Sequence, residues 1–482
     1  MTNYVLPQGH PFDRWFEAIA QIPHGSRNEK ALSDFIVDFA KERKLWWNQD
    51  EDYNVIIKKA ASVGYETAKP VILQAHIDMV CEKVEGSAHD FMTDPIKLVL
   101  DGNILRADGT TLGADDAVGV AYMLAILDDK TAEHPPLECV FTTGEEIGML
   151  GIQKLHFDLL EGRKVINLDN AGETETGLNA AGGENVTLCV PVERESHTGM
   201  AWTLRVAGLS GGHSGCGNNV EKGNAILLLA GILCDLCDKE YAPALVDIQG
   251  GKMTNAFPTF CEATFFCDAQ PERLEKLLTE WKHTLEAMYQ YSEPDMEISF
   301  SAKEMTAEAM TSVRSEELLN MIFLLPNGVS HKSLEFEDFV SASSNVGVVE
   351  TADQQVRVKM SIRGETEFRI NELHRKAEMI AKLYDVAIDV ENCYPCWRYS
   401  EKSELREFAD RVIQKQLGKH LRCEPVHAGV ELCYFAEAFP EIDALGMGPI
   451  AGGAHSPDEW LDMDSAHRFH NLLLGILKEC RS

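Results

Sequence analysis

The chain has 482 residues, of which 45% are hydrophobic and 25% are charged, and its formal net charge is −33 at pH 7. This is the composition of an ordinary globular protein, and the length suggests two domains that each bury a core. The acidic balance, with no basic run, argues against a nucleic-acid surface and favours the attraction of cations.

The sequence carries no signal for export or for membrane insertion. Residues 1–7 lack the basic and apolar segments of a signal peptide, and no stretch of about 18 apolar residues occurs. Thirteen cysteines include two C-x-x-C pairs, Cys234 with Cys237 and Cys393 with Cys396, which lie too far apart in sequence for a zinc ribbon. We therefore expect a cytoplasmic protein with free thiols and no membrane partner.

The N-terminal part alternates strands with helices. In chain order the patterns predict a helix within 28–45, strands at 54–57 and 71–78, a hairpin at 98–105, a helix after Gly113, and strands at 139–142 and 164–168. The run at 71–78 is continuously apolar until it ends in His76 and Asp78, as in a buried strand of a parallel sheet. The alternation predicts an α/β fold with a mostly parallel sheet and helices on both faces.

The character of the sequence changes near Gly182. The patterns predict strands at 203–207, 245–249, 260–267, 296–299, 345–351, 356–362 and 386–390, and helices at 224–237, 273–288, 316–324 and 371–383. A predicted helix at 403–417 then resembles the elements of the N-terminal part. We predict a discontinuous first domain, 1–183 with 398–482, interrupted by an inserted α+β domain at 184–397.

Five groups of potential metal ligands lie at the edges of these elements. They are His76, Asp115, one of Glu145 and Glu146, Asp169 and His455. Asp115 and Asp116 open a helix, where a carboxylate is also favoured as a cap, and we assign capping to one of them. Two histidines and three carboxylates without a thiolate exceed the needs of a structural zinc site and suit two metal ions that share a carboxylate.

The motifs around these residues resemble the zinc aminopeptidase and carboxypeptidase superfamily, most closely the aminoacyl-histidine dipeptidase (cytosol non-specific dipeptidase) family. They are HxD at 76–78, LGADD at 112–116, GEExG at 144–148, NLD at 167–169, GGHSG at 211–215, NAFP at 255–258 and GAHSPDE at 453–459. The resemblance extends from Trp15 to the C-terminus and implies a catalytic peptidase domain with an inserted lid domain that commonly mediates homodimerisation.

The same resemblance implies a ligand set and a cofactor. His76 and Asp169 would hold one Zn²⁺, Glu146 and His455 the other, and Asp115 would bridge the two ions. Co²⁺ or Mn²⁺ could substitute for zinc. Two such ions would lower the pKa of bound water towards about 7.

The remaining roles also come from the resemblance. Asp78 would orient His76 through its carboxylate, and Glu145 would be the general base. In the inserted domain and the loop that faces it, His213 would stabilise the oxyanion, Arg363 and Asn255 would bind the substrate carboxylate, and Gly429 would contact the substrate. Arg363 could instead be a surface arginine paired with Glu365 or Glu367, and the free amine could be bound near Asp169 and Glu173.

Departures from the family pattern occur at 219–222, 364–365 and 432–433, in the lid and its facing loop. Because the ligand set is intact, we expect these departures to affect substrate preference and rate and not the ability to hydrolyse. The expected substrates are small unblocked dipeptides, Xaa-His included. The alternatives are a deacylase of the same superfamily, a non-catalytic metal-binding protein, and a scaffold protein without catalytic metal.

Overall fold

The computed structural model describes residues 4–215, 221–352 and 354–481. Contacts divide the chain into two compact units. The first comprises Met1–Asn179, Trp397–Val426 and Val430–Ser482, and the second comprises Ala180–Cys396 and His427–Gly429. Among the described helices, none combines the length and the apolar composition needed to cross a bilayer.

The described residues contain helices α1 (Pro11–Ala20), α2 (Lys30–Arg43), α3 (Ala114–Asp128), α4 (Ala225–Asp238), α5 (Pro271–Tyr289), α6 (Ser312–Leu324), α7 (Glu367–Leu383), α8 (Glu404–Leu417), α9 (Leu432–Ala438) and α10 (Met463–Glu479). Strands of the N-terminal part are β1 (Trp46–Gln49), β2 (Val55–Lys59), β3 (Val71–His76), β4 (Leu98–Asp101), β5 (Ile104–Ala107), β6 (Leu137–Thr142), β7 (Lys164–Asn167) and β8 (Glu175–Gly177). The second unit contains β9 (Gly182–Pro191), β10 (Arg194–Ala207), β11 (Ala244–Gly250), β12 (Cys261–Phe266), β13 (Glu297–Met310), β14 (Gly328–Lys332), β15 (Val340–Thr351), β16 (Gln355–Gly364) and β17 (Ala387–Tyr394). The C-terminal part adds β18 (Arg422–Glu424), β19 (Asp443–Gly446), β20 (Ala451–Gly452) and β21 (Trp460–Asp462).

The first unit is built on a six-stranded sheet in the order β1-β2-β6-β3-β7-β19. The last four strands in this order run parallel, whereas β1 and β2 form an antiparallel edge. Strand β3 is buried along its whole length because helices cover the sheet, and α3 packs against it. The carboxyl ends of β6, β3 and β7 therefore meet at one edge of the sheet, where ligands bind in α/β folds.

Apolar faces of the helices supply the core of the first unit. Helix α1 was not predicted. It packs against α3, and its residues Phe12, Phe16 and Ile19 are fully buried. The C-terminal helix α10 also packs on α1 and α3, so the two ends of the chain share one core.

The second unit contains one continuous nine-stranded antiparallel sheet. Its order is β13-β10-β12-β11-β15-β16-β9-β17, with β14 pairing to β15. The sequence predicted an inserted α+β domain here, and strands β9 and β14 were missed. Strand β9 pairs along its full length with β16, so the start of this unit lies beside a strand from its C-terminal half.

Candidate metal centre

The predicted ligands of the first unit lie where three neighbouring parallel strands end. His76 is the last residue of β3, Glu145 and Glu146 lie in the turn after β6, and Asp169 lies two residues beyond β7. Because β6, β3 and β7 are adjacent and parallel, these side chains come to the same edge of the sheet.

His76 is held from both sides of its ring. Nδ1 donates to the backbone carbonyl of Asp78 at 3.0 Å, and Nε2 lies 2.9 Å from Oδ1 of Asp115. The carboxylate of Asp78 accepts from the Ser26 hydroxyl and from the backbone N–H of Glu145. Burial alone would lower the pKa of His76, but the contacts with Asp115 and Asp78 raise it.

The two oxygens of Asp115 face two different histidines. Oδ1 lies 2.9 Å from Nε2 of His76, and Oδ2 lies 3.3 Å from Nε2 of His455. Burial opposes ionisation, but the contacts with His455 and His76 lower the pKa of Asp115, so it is a carboxylate at neutral pH. One carboxylate between two imidazoles has the arrangement of a bridging ligand.

The turn that presents Asp115 is held by a residue to which the sequence assigned no role. The carboxylate of Glu459 accepts from the backbone N–H groups of Leu112 at 2.7 Å, Gly113 at 2.9 Å and Asp115 at 3.3 Å. The backbone of Asp115 and Asp116 is not helical, so the regular part of α3 begins at Ala117, and Asp116 caps it by accepting from the N–H of Gly119. Capping by one of the two acids was predicted, and the structure gives this contact to Asp116.

His455 lies in a tight turn directly after β20. Its own φ is 62°, and Gly453 has a φ of 69° and would bring a Cβ within 2.8 Å of the Asp458 carbonyl. Such left-handed positions are uncommon for non-glycine residues and concentrate at functional sites. Nε2 of His455 lies 3.1 Å from Oε2 of Glu146, and contacts with Asp115 and Glu146 raise its pKa to about 10.

The centre brings together more carboxyl groups than its own residues can neutralise as carboxylates. Burial and the charge of Asp115 raise the pKa of Asp169 to about 8, and burial likewise raises the pKa of Glu145. Oε1 of Glu146 is buried without a hydrogen-bond partner among the described residues. Donor atoms of His76, Glu145 and Glu146 lie within 4.8 Å of one another, as do those of Asp115, Glu146 and His455. Oxygen and imidazole donors around an unmet negative charge fit divalent metal ions.

A small cavity of about 100 Å³ adjoins this centre. Its lining includes Asp115, Asp169, Asn170, Pro449 and Gly452. Glu173, the second acid considered for the substrate amine, does not line it. The carboxylate of Glu173 instead accepts from the Ser465 hydroxyl and pairs with Arg468, so this interpretation of Glu173 is wrong.

A buried polar network lies beneath the strand that carries His76, and the sequence did not reveal it. Glu431 is fully buried, and its Oε2 accepts from Gln74 Nε2 at 2.5 Å and from the Thr142 hydroxyl at 2.7 Å. Gln74 in turn accepts from the side-chain amide of Asn167. Burial raises the pKa of Glu431 to about 7, although the charge of His76 opposes this shift. The network joins β3, β6 and β7 directly below the centre.

The second unit brings together a cluster of basic side chains. Arg363 on β16 is only 8% exposed, and Nη2 donates to Nε2 of His213 at 3.1 Å. His427 is buried nearby, and Nε2 lies 2.8 Å from the Ser343 hydroxyl. Burial and the charge of Arg363 lower the pKa of His213 to about 4 and that of His427 to about 3. A Cβ at Gly215 would lie 2.8 Å from Nη1 of Arg363, so this close packing requires glycine.

No carboxylate forms an ion pair with Arg363 among the residues that the structure describes, and its Nε is buried without a hydrogen-bond partner. The alternative of a surface arginine paired with Glu365 or Glu367 is therefore wrong. A buried guanidinium without a carboxylate suits an anionic ligand, which it can bind through two parallel hydrogen bonds.

The other predicted residues of this unit lie in two loops. Asn255 is half-buried in the turn before Ala256, and its carbonyl accepts from the N–H of Ser214, next to His213. Gly429 packs against the Tyr394 ring, which a Cβ would approach to 2.6 Å. Of the departures from the family pattern, 219 and 220 lie outside the described residues. The twelve cysteines in the described part of the chain are free thiols.

Comparisons with known proteins cover nearly the whole chain. The model of peptidase family M20/M25/M40 matches residues 72–479. The cytosol non-specific dipeptidase of Escherichia coli (strain K12) is 33% identical over 479 residues, which span 98% of this chain and 99% of that protein.

Solved structures give the same result for the fold. The aminoacylhistidine dipeptidase from Vibrio alginolyticus matches with a TM-score of 0.86 and 32% identity, over 98% of this chain and 96% of that one. The aminopeptidase PepT from Bacillus cereus ATCC 10987 matches with a TM-score of 0.56 and 15% identity over 98% of both chains, which shows a shared fold alone. The fold class predicted from the sequence is confirmed.

Proposed function

The chain belongs to peptidase family M20/M25/M40 and is a peptide-bond hydrolase, and from this premise we propose that it is a dinuclear zinc dipeptidase acting on unblocked dipeptides, Xaa-His among them. The observation that carries the proposal is Asp115, whose two oxygens face His76 and His455 separately. The names of the two most similar proteins described above support the dipeptide and Xaa-His specificities.

Family membership implies a metal cofactor, and we assign the ligands residue by residue. His76 and Asp169 would hold one ion, Glu146 and His455 the other, and Asp115 would bridge them. Zinc suits this mixture of imidazole and carboxylate, and Co²⁺ or Mn²⁺ could substitute. Two zinc ions there would polarise the peptide carbonyl and lower the pKa of water at the site towards about 7.

The chain's own residues then manage the protons. Glu145 takes a proton from the attacking water and passes it to the leaving amine, which requires a carboxylate beside the metals that does not itself serve as a ligand. Asp78 positions His76, since its backbone carbonyl accepts from Nδ1 and thereby directs Nε2 towards the metals. Its carboxylate also anchors the backbone of Glu145.

We assign the second unit the role of a lid that recognises the substrate. Arg363, with Asn255 as a neutral donor, binds the C-terminal carboxylate, which lies one residue beyond the scissile bond only in a dipeptide. Gly429 lets the backbone of its loop approach the substrate closely. These residues and the metal ligands act on one substrate only if the lid closes over it.

His213 is assigned to the oxyanion, and its contacts suggest how its role is coupled to binding. A neutral imidazole carries one N–H, yet Nδ1 faces the N–H of Gly215 and Nε2 faces Arg363. When Arg363 turns to the substrate carboxylate, the ring proton can reside on Nε2 while Nδ1 accepts from the Gly215 N–H, and Nε2 then donates to the oxyanion. Correct binding of a dipeptide would therefore prepare the residue that stabilises the transition state.

We also propose a cytoplasmic homodimer that forms through the lid. The cytosolic location rests on the name of the Escherichia coli relative. The dimer is supported by Phe368, Met379 and Leu383, exposed apolar residues whose spacing places them on one face of α7. Phe368→Glu with Leu383→Glu should yield a monomer in analytical ultracentrifugation, whereas Val63→Glu, at an exposed position of the first unit, should leave the dimer intact.

A substrate panel with metal analysis tests the central proposal. The purified protein, reconstituted with Zn²⁺, should contain two ions per chain and hydrolyse dipeptides much faster than tripeptides, C-terminally amidated dipeptides and N-acetylated amino acids. Fast hydrolysis of acetylated amino acids would establish the deacylase alternative instead. Rapid cleavage of amidated dipeptides would refute the carboxylate clamp.

A further inference from the structure

A cluster of three histidines and one buried acid lies at the junction of the first and last helices, outside the candidate metal centre. His10 caps α1, Asp13 lies in the first turn of that helix, and His467 and His470 lie one turn apart on α10. The rings of His10 and His467 stack at 4.2 Å, and the His470 ring meets His10 edge-on at 5.0 Å.

Asp13 is the feature of this cluster that requires explanation. The residue is only 1% exposed, and among the described residues it forms an ion pair with neither lysine nor arginine. Oδ1 lies 2.6 Å from Nε2 of His467, whereas Oδ2 is buried without a hydrogen-bond partner. A buried carboxylate is costly unless a cation compensates it, either a charged side chain or a bound metal ion.

The surrounding donors have the chemistry that a metal ion needs. One ligand atom each from His10, Asp13 and His467 lie within 4.8 Å of one another. Ligand atoms around tetrahedral zinc lie about 3.4 Å apart. The His10 and His467 rings stack with an interplanar angle of 22°, so one ring must turn out of the stack before both can direct a nitrogen at the same ion. Nδ1 of His10 accepts from the Phe12 N–H at 3.3 Å, so Nδ1 carries the lone pair of the ring and becomes the ligand atom when the metal ion replaces this long contact.

We propose that His10, Asp13 and His467 bind one divalent transition-metal ion of the Zn²⁺ class and that this ion fastens α1 to α10. Two imidazoles and one carboxylate form a ligand set that zinc, nickel and cobalt accept, and His467 is exposed enough for water to complete the coordination.

The role that follows is structural and does not depend on turnover. Asp13 and His467 are 454 positions apart, so the ion would join the two ends of the chain. A cross-link that closes a long loop restricts the unfolded chain most. Because the ion binds the folded state, the Tm should rise with Zn²⁺ concentration.

Metal analysis of tag-free protein equilibrated with Zn²⁺ tests the site. Wild type should hold one ion more than His10→Ala and His467→Ala, and these variants should bind that ion at least about 10-fold more weakly. His420→Ala, at an exposed histidine paired with Asp410, is the matched control and should hold as many ions as wild type. Equal zinc content and equal Zn²⁺-dependent Tm in all four proteins would refute the site.

A variant that lacks ligands of the candidate metal centre distinguishes failure of this site from failure of the proposed function. In Asp115→Asn with His455→Ala, which removes ligands of the candidate centre, one tightly bound Zn²⁺ should remain, and adding His10→Ala should remove it. If the remaining zinc does not respond to His10→Ala, the peripheral site is refuted whatever the catalytic ligands prove to be.

Discussion

Replacing Glu145 by glutamine separates the roles of two adjacent acids. The substitution keeps the size and shape of the side chain and removes its ability to accept a proton. The backbone N–H of Glu145, not its side chain, donates to Asp78, so the support of His76 should survive. We expect the variant to retain two zinc ions per chain.

The expected loss of activity follows from the role of a general base. Such a group contributes about 10²- to 10⁴-fold to the rate, so kcat should fall by that factor, or about 2.7 to 5.5 kcal/mol. KM should change little, because Glu145 is not assigned to substrate binding. The matched variant is Glu146→Gln, which alters the carboxylate 3.1 Å from Nε2 of His455 and should lose one ion.

The assay combines steady-state hydrolysis of a dipeptide with metal analysis of the same samples. In the metal-saturated wild type, kcat/KM should fall towards low pH as the general base becomes protonated. This acid limb of the pH profile should change in Glu145→Gln. If Glu145→Gln instead loses an ion and keeps most of its activity, while Glu146→Gln keeps both ions, the two assignments are reversed.

Three further predictions concern other parts of the molecule. Arg363→Ala should raise KM for dipeptides about 10- to 150-fold, the equivalent of a charged hydrogen bond worth about 1.5 to 3 kcal/mol, and an unchanged KM would exclude the clamp. His213→Ala should lower kcat about 10²- to 10³-fold with little effect on KM, and an unchanged kcat would exclude it as the oxyanion donor. Glu431 has a folded pKa of about 7, above its ordinary value of 4.5, so the folded state binds more protons and the stability of the metal-free protein should fall as pH rises from about 4.5 to 7. Glu431→Gln should remove up to about 3 kcal/mol of this loss, measured as Tm at pH 5 and pH 8, and the exposed Glu441→Gln should behave as wild type.

The sequence by itself determined the type of most elements and the edge of the sheet at which the candidate ligands meet. A continuous apolar run ending at His76 predicts a buried strand, and the alternation of strands and helices predicts parallel neighbours. Parallel neighbours place the residues that follow them at one edge, which is why distant motifs could be grouped before any coordinates were known. Local periodicity carries this information because it reflects which face of an element is buried.

Only the tertiary structure decided how the groups face one another. In the structure, one oxygen of Asp115 lies near His76 and the other near His455. Glu459 accepts hydrogen bonds from the turn before α3, and Arg363 is buried beside His213 without a carboxylate. The tertiary structure also joined the second unit into a single sheet by pairing β9 with β16. These contacts link residues on different elements, from 39 to 347 positions apart. They depend on strand order, side-chain direction and burial, and no local pattern of residue types encodes them.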